Sequence, residues 1–127
     1  MVRAYFLLLS LLIPLVLASD LMGADWVWSN GTPGEQETAY LRKSFDLKQT
    51  GAAEVSVAAD NSYELFVNGK LVGQGSEWST AERFDITPLL KVGKNVIAVR
   101  ATNAGGPGAC MLSGNVKNGN QSIDVST

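Results

Sequence analysis

The dipeptide Asn68-Gly69, set between two short apolar runs, restricts the folding of this chain more than any other feature. Tyr63-Glu64-Leu65-Phe66-Val67 leads into it, and Lys70-Leu71-Val72-Gly73 leads out. Asn-Gly in that setting is the strongest short hairpin signal, because a type I′ turn needs positive φ at both central residues. A chain that must turn there is committed to antiparallel strands on both sides. The flanking sequence agrees. Ala53, Val55, Val57 and Ala59 recur at period two, as in a half-buried strand. Tyr40–Phe45 alternates like an edge strand, and Asn95–Asn103 reads as a long central strand whose middle, Val96–Val99, is buried on both faces.

Between Arg83–Ile86 and that long strand, Thr87-Pro88-Leu89-Leu90 predicts one helical turn. Pro88 takes its first position, with Thr87 or Asp85 as the cap, and Gly93 ends it. After Gly108 two weaker strands are expected, near 109–116 and 121–125, around the Asn118-Gly119-Asn120 turn. Eight or nine short strands without a long amphipathic helix make an all-β sandwich or jelly roll. The last segment is a poor strand former. Gln121–Thr127 is therefore expected to pair weakly, to fray, or to leave an open edge that a following segment would cover in a longer protein.

The N-terminus sets the expected compartment. Arg3 precedes an apolar run from Ala4 to Ala18 that is short for a span of about 20 residues but suits a secretory signal. Residues 1–18 read as a signal peptide cut after Ala18, with a cut after Ala24 or an uncleaved anchor as alternatives. Residues 19–127 then form one domain in a secreted, periplasmic or cell-surface protein, with no membrane contact after cleavage.

Composition narrows the chemistry. Net charge is −2, or −3 once Arg3 is removed, and no basic run exists, which argues against nucleic acid and anionic membranes. Cys110 is the only cysteine, so no disulfide can form within the chain. There is no histidine, which removes the usual general base and any Ser-His-Asp or Cys-His mechanism. Glu35/Glu37 and Glu77/Glu82 are the available acid pairs, but both lie in loops that nothing in the sequence holds rigid. Gly105-Gly106-Pro107-Gly108 is a turn without the Lys-Ser/Thr of a phosphate cradle. No catalytic residue and no cofactor is expected. Asn30-Gly31-Thr32 and Asn120-Gln121-Ser122 match the N-glycosylation pattern.

Two segments carry a family resemblance. Residues 59–73, from Ala59-Asp60-Asn61 through Val67-Asn68-Gly69-Lys70-Leu71-Val72-Gly73, are followed by a Trp78 loop and then by Phe84-Asp85-Ile86-Thr87-Pro88-Leu89-Leu90-Lys91-Val92-Gly93-Lys94-Asn95-Val96-Ile97-Ala98-Val99. Their order and separation resemble the galactose-binding-like domain, as in the N-terminal sugar-binding domains of family 2 glycoside hydrolases and α-L-rhamnosidases. The resemblance runs from about Trp26 to Val116. It implies a non-catalytic carbohydrate-binding module, with a glycan as partner and a catalytic domain following or separate. The Ser113-Gly114 step departs from those hydrolases in having no flanking aromatic or Arg.

Sugar sites pair an aromatic platform with hydrogen-bonding groups, because a pyranose has apolar C–H faces and a polar edge. Trp78 in its polar loop is the candidate platform, unless its ring folds back over the end of the sandwich. Trp26 and Trp28, two apart, would share a face if their segment is a strand, either on a ligand or on the core. Asp60, Asn61 and Glu64 are candidate ligand contacts, of which Asp60 and Glu64 could accept hydroxyl hydrogens or help to hold a structural calcium; alternatively, Asp60-Asn61 is a turn in which Asp60 bonds nearby amides. Arg100 and Asn103 end the long strand beside the glycine-rich loop, where the alternative is a solvated Arg. Together these leave a carbohydrate-binding module, or a structural or protein-docking sandwich in a surface assembly.

Overall fold

A computed structural model describes residues 24–28 and 33–127. The expected signal peptide, residues 1–18, and the Asn30 sequon lie outside the described residues. Among the described residues, eight strands follow in order: β1 Thr38–Leu47, β2 Ala53–Asp60, β3 Ser62–Val67, β4 Lys70–Gly75, β5 Glu82–Asp85, β6 Gly93–Thr102, β7 Ala109–Asn118 and β8 Gln121–Asp124, with a 3₁₀ turn at Thr87–Leu89. They pair antiparallel in two four-stranded sheets, β1-β6-β3-β4 and β5-β2-β7-β8. Strand alternation explains the layering. Leu65, Val67, Ile97 and Val99 of the first sheet join Val55, Val57, Leu112 and Val116 of the second in one buried core.

The hairpin turns where expected. Asn68 has φ 50° and Gly69 φ 81°, the two positive values that a type I′ turn needs. Across it, a bulge between Leu65 and Phe66 shifts the register. Asp85 Oδ1 accepts the Thr87 amide at 3.0 Å, and Pro88 sits in the first turn. The β6 strand is central, between β1 and β3.

Three expectations are corrected. Only one face of β6 is buried, through Asn95, Ile97, Val99 and Ala101, while Val96 and Ala98 stand on a partly exposed outer face. No layer among the described residues covers that side. Gln121–Thr127 does not pair weakly, although β8 is the edge strand of its sheet and so leaves the open edge that was the other expected outcome. The β8 strand pairs with β7 from Asn118↔Gln121 to Asn115↔Asp124, and the Val125 side chain is buried. The Val125 and Thr127 amides donate to Gly114 and Leu112 carbonyls at 2.9 Å, and Thr127 Oγ1 donates to the Asp25 carbonyl. One buried valine and these bonds offset the low strand propensity of the segment. Finally, Trp26 and Trp28 do not share a strand face. Their segment makes a single bridge, Val27 to Cys110, with Trp28 packed on the core and Trp26 exposed.

Candidate functional site

The outer face of the β1-β6-β3-β4 sheet is built in cross-strand rows. Register sets Tyr40 beside Arg100, Arg100 beside Glu64, and Glu64 beside Gln74. One row further along, Arg42, Ala98, Phe66 and Leu71 stand side by side. In the other direction Thr38, Thr102 and Ser62 form a hydroxyl row, with the two threonine oxygens 3.4 Å apart. These side chains face outward because their neighbours along each strand, such as Leu41, Leu65 and Val99, are turned to the core.

Two concavities lie on this face and meet at Arg100. One, of about 530 Å³, is lined by Ser62, Glu64, Gln74, Ser76, Arg100 and Thr102. Hydroxyl, amide, carboxylate and guanidinium groups converge there, and donors and acceptors alternate. The other, of about 790 Å³, contains Tyr40, Phe66, Val96 and Ala98 among basic side chains. At the junction the guanidinium of Arg100 is ion-paired with the Glu64 carboxylate, both of them partly exposed. An exposed pair of this kind adds little stability, but it fixes two long side chains in one orientation.

The predicted residues separate into two groups. Glu64 and Arg100 are brought together on the sheet face. Asn61 and Asn103 instead hold the loop at the end of the sandwich. Asn103 is fully buried; its amide nitrogen donates to the Gly34 and Gly106 carbonyls at 3.0 Å, and its Oδ1 accepts the Gly105 amide. That uses its polar atoms inside the protein, so Asn103 organises the loop and does not face a ligand. Asn61 Oδ1 accepts the Ala104 amide at 2.7 Å. That amide lies 43 positions along the chain, so Asn61 ties the β2–β3 junction to the glycine-rich loop across the fold. Asp60 ends β2 and the chain passes almost directly into β3.

Trp78 is 63% exposed on the loop between β4 and β5, so its ring does not fold back over the sandwich. It stands two positions from Ser76 at the edge of the polar concavity. Among the described residues no group of three or more acidic or cysteine side chains could hold a metal ion, and Glu64 is engaged with Arg100. Three carboxylates of the candidate acid pairs have partners of their own. Glu37 accepts the Gly34 amide, Glu77 accepts from Ser79, and Glu82 lies beside the buried Tyr63. Burial first, and then the Glu82 charge, pushes the Tyr63 phenol above its usual range.

Tyr40, Arg42, Phe66, Lys91 and Lys94 were not singled out by the sequence. Strand parity was the available signal, since each of the three strand residues among them that lie on β1 or β3 alternates with a core residue. A second omission is the pair Asn68 and Asn95. Asn68 Nδ2 donates to Asn95 Oδ1 at 2.9 Å and to the Leu89 carbonyl, and Asn68 Oδ1 accepts the Val96 amide. Asn95 is fully buried and ties down Lys91 and Gly93. Through these bonds the hairpin and the turn before β6 are locked at one end of the larger concavity.

A two-sheet antiparallel sandwich with this hairpin and turn, and with one sheet face open, defines a galactose-binding-like domain. Known proteins bear this out. The chain is 31% identical to an α-L-rhamnosidase of Streptomyces avermitilis in an alignment of 103 positions that covers 72% of this chain and 10% of that one. The solved structure of Streptomyces avermitilis α-L-rhamnosidase complexed with L-rhamnose superposes with a TM-score of 0.74 over 83% of this chain and 11% of that one, at 24% identity. A lectin from Pleurotus ostreatus, solved in complex with GalNAc, gives a TM-score of 0.72 at 32% identity over 83% of this chain and 33% of its own. A family 2 glycosyl hydrolase from Bacteroides cellulosilyticus gives 0.51 at 26% identity, over 61% of this chain and 12% of its own. No family model matches the chain. The chain spans about a tenth or less of the length of the curated relatives it matches.

Proposed function

We propose that the chain is a non-catalytic carbohydrate-binding module of a secreted or envelope protein, and that it binds sugar on the outer face of the β1-β6-β3-β4 sheet. The observation that carries this is the juxtaposition of Ser62, Glu64, Gln74, Arg100 and Thr102 with the outward rings of Tyr40 and Phe66. The rings offer a stacking surface for sugar C–H faces, and the polar row offers partners to the hydroxyls. The likeness to a lectin and to glycoside hydrolase domains supports the reading. So does the small share of each enzyme that is matched, which fits an accessory module beside a separate catalytic unit.

Affinity electrophoresis of the chain in gels containing plant, algal or bacterial polysaccharides tests it. Retardation by at least one polysaccharide is expected, with loss in Phe66→Ala and Arg100→Ala. One observation favours a second reading: the row Ala98–Phe66–Leu71 presents apolar surface that a neighbouring protein domain would also cover. Failure of every polysaccharide to retard the chain would replace sugar binding with protein docking.

A further inference from the structure

The larger concavity has a charge that the whole chain does not. The protein carries a net −2. Yet this concavity is lined by Arg42, Lys91, Lys94 and Arg100, and no Asp or Glu is among its lining residues. Strand pairing and the turn before β6 gather cations that lie far apart in sequence, which is why no basic run announces them. Glu64 offsets Arg100 from the adjoining polar concavity. Arg42, Lys91 and Lys94 form no ion pair among the described residues. Asp46 stands opposite Lys94 in the strand register but does not line the concavity. Tyr40, exposed at 74%, and Phe66 line the same concavity.

We propose that this concavity takes an anionic saccharide, with its carboxylate or sulfate groups held by Arg42, Lys91 and Lys94 and its ring faces against Tyr40 and Phe66. The inference rests on the carbohydrate-binding reading and names its ligand class. Charge complementarity selects the anion, and the aromatic rings select a sugar over a bare polyanion. Arg42 stands opposite Ala98, four positions from Lys94 on β6, about 13 Å at 3.3 Å per residue. The ligand is therefore an oligosaccharide segment longer than a single sugar.

Titration calorimetry of the chain with four probes tests this: an oligogalacturonate, a sulfated galactan oligosaccharide, a neutral galactan oligosaccharide and an oligo-dT strand, each at low and moderate salt. At least one acidic saccharide should bind about tenfold or more tighter than the neutral one and weaken as salt rises. Preference between the carboxylate and sulfate probes identifies the anion, and either preference supports the proposal. Arg42→Gln with Lys94→Gln should weaken acidic binding about 3- to 20-fold, since exposed charge pairs contribute modestly each. Lys48→Gln with Lys117→Gln, outside the concavity, should change it less than about twofold. Equal affinity for the neutral galactan would overturn the anionic preference and leave sugar binding standing. No saccharide binding at all would overturn both. Equal binding of oligo-dT, unaffected by Phe66→Ala, would reduce the surface to a nonspecific polyanion site and overturn the proposal.

Discussion

Replacing Asn95 by Ala is expected to cost more than most single changes elsewhere in the chain, and the reason can be counted. The Asn95 amide is fully buried and makes four bonds: it donates to the Lys91 and Gly93 carbonyls at 2.7 and 3.0 Å, and accepts from the Lys91 amide at 3.0 Å and Asn68 Nδ2 at 2.9 Å. At a net 0.5–1.5 kcal/mol per bond the sum would reach about 2–6 kcal/mol, but a turn near the surface admits some water, so a loss of roughly 2–4 kcal/mol is expected. For a domain of this size that corresponds to a melting temperature lower by roughly 10–25 °C. Urea unfolding followed by tryptophan fluorescence measures it. Asn68→Ala should be coupled to Asn95→Ala by about 1 kcal/mol in a double-mutant cycle, because the two share one of the bonds. A loss below about 1 kcal/mol for Asn95→Ala, with no coupling to Asn68, would refute the view that this amide pair holds the hairpin to the turn.

Gly69→Val has open space around its would-be Cβ, so its cost is backbone conformation alone, roughly 1–3 kcal/mol; a melting point within a degree of the parent would exclude a positive-φ turn. Cys110 is fully buried and its thiol is pushed up to about 12 by desolvation, while Tyr63 is raised as well. Unfolding frees both groups to ionise at their ordinary values, so stability is fully present below about pH 8.5 and falls as pH rises toward 12, at up to about 1.4 kcal/mol per unit per group. Urea midpoints from pH 8 to 11 should fall, and Cys110→Ala should flatten the decline; a level profile would contradict the burial. In hydrogen exchange, the Val125 amide should be protected as a bonded, buried position, though less than Val99 on the central strand; exchange of Val125 within seconds would restore a frayed C-terminal segment.

What could be read from the chain was what is decided locally. Asn68-Gly69 needs only its own two φ values, and Asp85-Ile86-Thr87-Pro88 makes its turn within four residues. The central place of β6 also followed, because its apolar run is long. What was missed depends on partners distant in sequence. Asn103 at a strand end looks ligand-facing until Gly34, in contact across the fold, is seen to take its amide hydrogen. The outer side of Val96–Ala98 looked buried because apolar residues occupy it, yet no covering layer exists among the described residues. Gln121–Thr127 looked weak because propensity says nothing of Asp25, Leu112 and Gly114 waiting to bond it. The basic concavity was invisible for the same reason, since a charge run along the chain and a charge cluster in space are different patterns.

The pairing of β1 with β6 also governs when the recognition surface exists. Thr38 and Thr102, hydrogen-bonded neighbours in the finished sheet, are 64 positions apart. At a synthesis rate of 5–20 residues per second, the first of them waits about 3–13 s for the second to be made. The β3–β4 hairpin ends at Gly75, 27 positions before Thr102, and closes in microseconds once made, so a ribbon bearing Phe66 and Glu64 can form in the last part of that interval while β1 has nothing to join. Tyr40 and Arg42 ride on the strand that must wait. The surface that would hold a glycan is consequently completed by one of the most delayed pairings in the chain, and a molecule whose β1 has not docked lacks both Tyr40 and Arg42.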